Sequence, residues 1–136
     1  MFRKQPSKPQ NRIDSLIGSG TKIEGNVNFA GGLRVDGEVI GNVTAVSDQP
    51  STLVLSEQAR IDGEIRVSHL VVNGEINGPV YAAEFLELQS RSRVKGDVHY
   101  STLEMHLGAV VDGHLVHRSG EAKTVELKLA ASKPAG

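Results

Sequence analysis

A strict alternation of side-chain character is the feature that most limits how this chain can fold. Apolar residues or glycine occupy every odd position from 23 to 45, and most even positions between them are polar. Alternation with a period of two predicts β-strand with one buried face. An unbroken strand over positions 23–45 would extend roughly 75 Å at about 3.3 Å per residue, far beyond normal strand lengths. The chain therefore has to bend repeatedly while it keeps the same side chains inside.

Glycines recur on these inward positions, with branched aliphatic residues two positions away on either side. The motif apolar-x-Gly-x-apolar occurs, for example, over 35–39, 61–65 and 111–115. We expect these glycines at corners, because a side chain at an inward corner would collide with the core and because glycine tolerates unusual backbone dihedrals. The predicted structural corners are Gly25, Gly37, Gly41, Gly63, Gly74, Gly78, Gly96 and Gly113.

The spacing of six of these glycines predicts the architecture. The steps between Gly25, Gly41, Gly63, Gly78, Gly96 and Gly113 are 16, 22, 15, 18 and 17 residues. A recurring step of this size is typical of one turn of a solenoid. We therefore predict an all-β, right-handed β-helix of about six turns with disordered termini. A β-sandwich is disfavoured because its turns would be polar. A left-handed hexapeptide helix is possible but disfavoured, because four of the five steps are not multiples of six.

Composition agrees with a narrow core and divides the chain into three parts. There is no cysteine or tryptophan, and aromatic residues make up 4% of the chain. The net charge of -1 resolves into +3 over residues 1–16, -6 over 17–117 and +2 over 118–136. We expect a flexible basic tail, a β-helical domain and a mostly flexible carboxyl-terminal tail over these ranges. The near-neutral total argues against a nucleic-acid partner, and the lack of a long apolar run predicts a cytoplasmic protein.

Four segments of the predicted solenoid carry a specific resemblance. Residues 20–27, 33–43, 72–80 and 108–113 contain paired Val-x-Gly-type motifs in a fixed order, the clearest being the Val-Asp-Gly-Glu-Val-Ile-Gly-Asn-Val stretch. In these motifs the chain resembles the bactofilins, a family of bacterial cytoskeletal proteins. The resemblance implies a triangular right-handed β-helix that polymerises end to end without nucleotide or any other cofactor. It also implies filaments on the inner face of the cytoplasmic membrane that recruit cell-wall synthesis or remodelling proteins and influence cell shape.

The ends of a β-helix carry unpaired backbone groups, which natural proteins usually cover. No part of the sequence shows the periodicity of a capping helix, so we expect the end turns to stack on other subunits. The predicted polymerisation residues are Ile17, Ile23, Val27, Phe29, Leu103, Met105, Leu107, Val111 and Leu115. Residues 124–129 also alternate like a strand, and the sequence leaves open whether they pair with the last turn.

The amino terminus resembles the short membrane-targeting segment of many bactofilins, an aromatic residue followed by basic ones. The predicted membrane-binding residues are Phe2, Arg3, Lys4 and Lys8. Burial of Phe2 contributes roughly 2 kcal/mol, and each basic residue about 1 kcal/mol near an anionic leaflet. Because one subunit would bind weakly, we expect filaments to attach through many copies.

Catalytic and metal-binding motifs are weak in this sequence. The glycines before Lys22 lack the spacing of a phosphate-binding loop. Five histidines could meet across turns as metal ligands, but no known ligand spacing is present, and outward surface positions are the simpler interpretation for His69, His99, His106, His114 and His117. Acidic residues beside the corner glycines suggest an acidic edge. The alternative function is a β-helical enzyme acting on sugars or acyl groups, for which no cluster of catalytic residues is found.

Overall fold

A computed structural model describes residues 12–46 and 48–118. These residues form strands and turns without any helix, and each strand pairing among them is parallel. The strands are β1 (Ser15–Ile17), β2 (Lys22–Glu24), β3 (Val27–Phe29), β4 (Gly32–Val35), β5 (Glu38–Ile40), β6 (Val43–Ala45), β7 (Thr52–Leu55), β8 (Arg60–Asp62), β9 (Ile65–Val72), β10 (Glu75–Asn77), β11 (Val80–Leu88), β12 (Arg93–Lys95), β13 (Val98–Met105), β14 (Val110–Asp112) and β15 (Leu115–His117).

The pairings arrange the strands in three faces, which the chain visits in the same order on every turn. The first face holds β1, β4, β7 and the second halves of β9, β11 and β13. The second face holds β2, β5, β8, β10, β12 and β14. The third holds β3, β6, the first halves of β9, β11 and β13, and β15. Each face has six members, which confirms the predicted solenoid of about six turns, while its right-handed winding stays a prediction.

The core consists of aliphatic ladders in which each inward residue stacks on its equivalent one turn away. On the second face Val39, Ile61 and Ile76 are in register and have no exposed surface. On the first face the register pairs Leu53 with Leu70, and both are fully buried. Branched aliphatic residues fit this arrangement because neighbouring strands are only about 4.8 Å apart. The thin core therefore needs no tryptophan.

Six of the recurring glycines lie at the corner between the second and third faces. A Cβ added at Gly41, Gly63, Gly78, Gly96 or Gly113 would lie within 3.0 Å of the carbonyl of the glycine one turn before it. The expected collision with the core is thus wrong, since the obstacle is the neighbouring turn's backbone. Gly63 also has a φ of +157°, a conformation that residues with a Cβ rarely adopt.

The other two corners vary in length from turn to turn. Gly37 and Gly74 belong to two-residue corners between the first and second faces, against backbone carbonyls of the turn before. Between the third and first faces, β9, β11 and β13 run continuously through the corner, whereas the chain between β6 and β7 makes a six-residue detour over 46–51. This detour produces the long step of 22 residues in the glycine spacing.

The outward positions carry both signs of charge. Arg34 pairs with Asp36 at 2.9 Å, Arg60 with Asp62 at 3.4 Å, and Arg66 with Glu64. Exposed pairs of this kind stabilise a fold only slightly. Basic side chains therefore interrupt the predicted acidic edge.

Replacing Gly63 with Ala should destabilise the protein strongly, because the new methyl group meets the Gly41 carbonyl and the backbone conformation is strained. The expected loss is about 3 kcal/mol in the free energy of unfolding, measured by urea denaturation. Gly25→Ala is the matched control, since Gly25 also has a positive φ of 136° but no atom within 4 Å of the added Cβ. Equal losses in the two variants would contradict the collision between turns.

Candidate functional site

The first turn leaves one edge of the solenoid open. Strands β1, β2 and β3 pair with β4, β5 and β6 on one side, and no described residue pairs with them on the other. The predicted residue Ile17 lies in β1 and is buried, with 8% of its surface exposed. Ile23 in β2, and Val27 and Phe29 in β3, are partly buried and pack against the core. The four residues predicted for this end therefore all lie on its inward ladders.

The last turn leaves the opposite edge open. It consists of residues 102–105 of β13, β14 and β15, and these strands have described partners only on the side of the preceding turn. Leu103 and Val111 are partly buried against the core, whereas Met105 and Leu115 are 43% and 44% exposed. Leu107 differs from these four residues. It lies in the corner between β13 and β14, off the inward ladders, and is 96% exposed.

Both edges offer what a further strand needs for pairing. An edge strand presents a row of unpaired N–H and C=O groups, and here the apolar side chains beside that row, apart from Ile17, are only partly covered. In the interior of the rod the same ladder positions are fully buried by the next turn. Each end turn is thus paired with described residues on one side, and its other side can accept a further strand.

Two histidine–carboxylate contacts fasten the last turn to the one before it. Asp97 accepts a hydrogen bond from the backbone N–H of His114 and lies 3.0 Å from Nδ1 of the same residue. These side-chain and backbone hydrogen bonds hold the pKa of the Asp97 carboxyl below its ordinary value of 3.8. The second contact joins His106 to Glu87 of β11 and to Glu104 of β13.

The His106 cluster is the one group among the described residues whose donor atoms could together hold a metal ion. His106 Nε2 lies 3.0 Å from Glu87 Oε2 and 3.2 Å from Glu104 Oε2, and all donor atoms lie within 4.8 Å of one another. One imidazole and two carboxylates suit several divalent metals. The same contacts are also those of a histidine between two ion-pair partners. Sequence spacing missed the group because Glu87 comes from the preceding turn.

The other histidines have separate surroundings. The interpretation of His69 as an outward surface residue is wrong: it is 6% exposed, and its Nδ1 lies 3.1 Å from Ser68 Oγ. His99 stacks on Tyr81 at 4.4 Å between ring centroids, and Arg66 covers the ring of Tyr81 at 4.0 Å. His117 lies in β15, with its ring 5.6 Å from that of Tyr100.

A shallow groove of about 780 Å³ follows the corner between the third and first faces, beside the detour. The stack of Arg66, Tyr81 and His99 forms part of its lining, together with Ser68. Ser68 Oγ donates a hydrogen bond of 2.7 Å to the backbone carbonyl of Ser51 one turn earlier. Sequence reasoning missed this row, although the turn length places its members in register. Arg66 and His99 already cover the ring of Tyr81, so the stack holds turns together and leaves no free face on that ring.

The comparison with protein families identifies what this open-ended solenoid belongs to. The family model described as bactofilin, polymer-forming cytoskeletal, matches residues 15–116. The chain belongs to the bactofilin family. A search of curated proteins and a search of solved structures find no match. As a bactofilin, the protein is a polymer-forming, self-associating cytoskeletal protein with a structural rather than an enzymatic function, which sets aside the alternative of a β-helical enzyme.

The structure bears on membrane contact in one respect. Within residues 12–46 and 48–118 of the bactofilin, no helix has the length and apolar character required to cross a bilayer. The predicted membrane-binding residues Phe2, Arg3, Lys4 and Lys8 lie outside the described residues. Their role stays a prediction.

Replacing Asp97 with Asn should weaken the attachment of the last turn in a pH-dependent way. Because folding lowers the pKa of Asp97, the ionised carboxylate stabilises the bactofilin above its unfolded-state pKa, and this stabilisation is lost as the pH falls through the lowered folded-state value. The melting temperature of the variant should lie below that of the wild type at pH 5 to 7, and the two should converge as the pH falls below the lowered folded-state pKa of Asp97.

A double-mutant cycle tests whether Asp97 acts through its hydrogen bonds to His114. In a His114→Ala background, Asp97→Asn should have a smaller effect at neutral pH, because the hydrogen-bonding imidazole is already absent. A difference in melting temperature that is the same at every pH, in either background, would show that the carboxylate does not act through ionisation.

Proposed function

We propose that this bactofilin assembles end to end through its first and last turns into nucleotide-independent filaments. The observation that supports this best is the pair of edges whose strand backbone has no partner among the described residues and lies next to partly covered apolar ladders. Bactofilins are polymer-forming, and stacked turns are the contact that the solenoid already makes internally. Strand addition at an end repeats that contact between subunits.

The exposed parts of the end ladders provide the apolar contribution. Met105 and Leu115 are 43% and 44% exposed, and covering each remaining surface contributes about 1 to 2 kcal/mol. New backbone pairing along three faces adds directional hydrogen bonds, which fix the orientation of the incoming turn. Leu107 lies on the rim of this surface and contacts a neighbour only if the neighbour extends beyond the ladders.

Replacing Leu115 with Arg should prevent filament formation. A guanidinium group on the inward ladder of the last turn has no partner there, and burying it unpaired costs more than the apolar contact contributes. We expect small soluble species by analytical ultracentrifugation and no filaments in electron micrographs without nucleotide.

Val116→Arg is the matched control for this test. Val116 is the neighbouring residue on β15, and its register partner is the outward residue His99, so the same charge stands on the outside of the rod. This variant should polymerise like the wild type. Filaments of unchanged length from Leu115→Arg would refute the role of the last turn.

The amino-terminal segment is proposed to attach the filament to anionic lipids of the cytoplasmic membrane. One aromatic and four basic residues lie within the first twelve positions, and together they can contribute at most about 6 kcal/mol. That ceiling corresponds to a dissociation constant of tens of micromolar, roughly 40 μM. A filament presents many copies at once and binds far more tightly than a subunit. We further propose that the attached filament organises cell-wall synthesis or remodelling proteins, as the bactofilin resemblance implies.

Deleting residues 2–8 should abolish co-flotation with liposomes that contain anionic lipid, because the deletion removes Phe2 and three of the four basic residues. Flotation of the intact protein should fall at high salt, where the attraction to the anionic surface is screened. The Leu115→Arg variant keeps the segment but lacks multivalency, so it should float weakly. Unchanged flotation of the deletion variant would exclude the segment as the membrane anchor.

A further inference from the structure

The chain leaves β15 in the way that it leaves β6. At the end of β6, the N–H of Val46 donates a hydrogen bond of 3.0 Å to the carbonyl of Phe29 one turn earlier, and the six-residue detour begins. At the end of β15, the N–H of Arg118 donates a hydrogen bond of 2.7 Å to the carbonyl of Tyr100. The carbonyl of Arg118 in turn accepts a hydrogen bond of 3.0 Å from Ser101 Oγ. The backbone at 118 is therefore directed into the corner that precedes the first face.

The sequence after each of these points has the same pattern. Six residues, 46–51, separate β6 from β7, which reads Thr-Leu-Val-Leu. Six residues, 118–123, separate β15 from residues 124–127, which read Thr-Val-Glu-Leu. Both four-residue stretches begin with Thr and place apolar residues at their second and fourth positions. A detour of this length is thus already known in this chain to deliver a strand to the first face.

The register of β7 specifies where the second stretch would lie. Leu53 and Leu55 of β7 pair with Leu33 and Val35 of the turn before. Residues 124–127 lie outside the described residues. By the same spacing, a strand at 124–127 would place Val125 and Leu127 beside Leu103 and Met105. The edge formed by residues 102–105 has no pairing partner among the described residues on that side, and Met105 is 43% exposed.

We propose that residues 124–127 dock as a strand on the edge of residues 102–105 and compete there with a second subunit. This inference rests on the proposed assembly through the last turn. The docked strand covers only the first of three faces, so it obstructs an incoming turn without replacing it. Glu126 would lie beside Glu104, and like charges at opposed positions weaken pairing. The docked strand is therefore displaceable, and it raises the concentration at which filaments form.

The Val125→Glu, Leu127→Glu double variant tests the competition. It places charges at the two inward positions, so the segment cannot cover the ladder. If the segment covers the edge three quarters of the time in the wild type, its release should lower the critical concentration about fourfold, measured by sedimentation of polymer across a protein dilution series. The matched control is Ser132→Glu with Ala135→Glu, which adds the same charge beyond the docking stretch and should leave the critical concentration unchanged.

Two results of this assay would overturn the competition. An unchanged critical concentration in Val125→Glu, Leu127→Glu would mean that the segment does not cover the edge. A raised critical concentration would mean that the segment contributes to the contact between subunits.

A cross-link measures docking without requiring filaments. The chain has no cysteine, so Glu104→Cys combined with Glu126→Cys introduces one thiol on each of the two strands. In dilute protein, a short bismaleimide should join the two thiols within one chain, seen as a faster-migrating monomer band, and Val125→Glu with Leu127→Glu in the same chain should abolish the product. Links that form only between chains would identify a second copy as the occupant, and no link at all would refute docking. A further outcome is a cross-link within one chain while neither the wild type nor the variant assembles. That result would refute end-to-end assembly and the competition but would support docking of the strand.

Discussion

The distance between consecutive turns is the constraint on which the rest of this structure depends. Parallel strands pair only at a spacing of about 4.8 Å, so each paired strand residue lies next to its register partner in the neighbouring turn. At the corner between the second and third faces the backbones come so close that a Cβ on Gly63 would overlap the carbonyl of Gly41. The same spacing brings Ile61 and Ile76 into full contact. The distance between consecutive turns therefore has two consequences. It requires glycine where backbones approach each other, and it favours branched aliphatic residues where side chains stack.

This constraint also explains why the ends of the rod differ from its middle. Every interior turn is covered on both sides, and its ladder residues are buried almost completely. Within residues 12–46 and 48–118, the end turns have the same sequence pattern but neighbours on one side only, so most of their ladder residues stay partly exposed. The bactofilin family is polymer-forming, which is consistent with a subunit that contacts its neighbours through its own end turns.

Much of the fold could be predicted from the sequence, because inside and outside are encoded by parity and turn length by the spacing of glycines. The number of turns follows directly from six glycines on one corner, and the inward residues Ile23 and Val111 lie on the ladders where parity puts them. The direction of side chains in the corners could not be predicted, because it depends on the length of each corner. Leu107 is at an odd position like Met105 but lies in a corner, where the alternation no longer indicates whether a side chain points inward or outward.

The side-chain groups that bridge turns were harder to predict for a related reason. Glu87 and His106 meet only once the exact register of β11 and β13 is known, and the steps between turns vary by several residues. The buried position of His69 depends in the same way on the long strand β9, which runs through its corner without a turn. Odd and even positions predict which side chains of a single strand point inward, whereas these contacts depend on the register between two strands.

The six-residue detour over 46–51 has a practical consequence. Its residues 48–50 are exposed and lie between two strands that pairing with the turn before holds in register. Extending such a connection costs little, because loop-closure entropy grows only slowly with length. A fluorescent or affinity tag inserted there would leave both ends of the rod and both terminal segments unaltered, which makes this corner the natural place to label the protein in living cells.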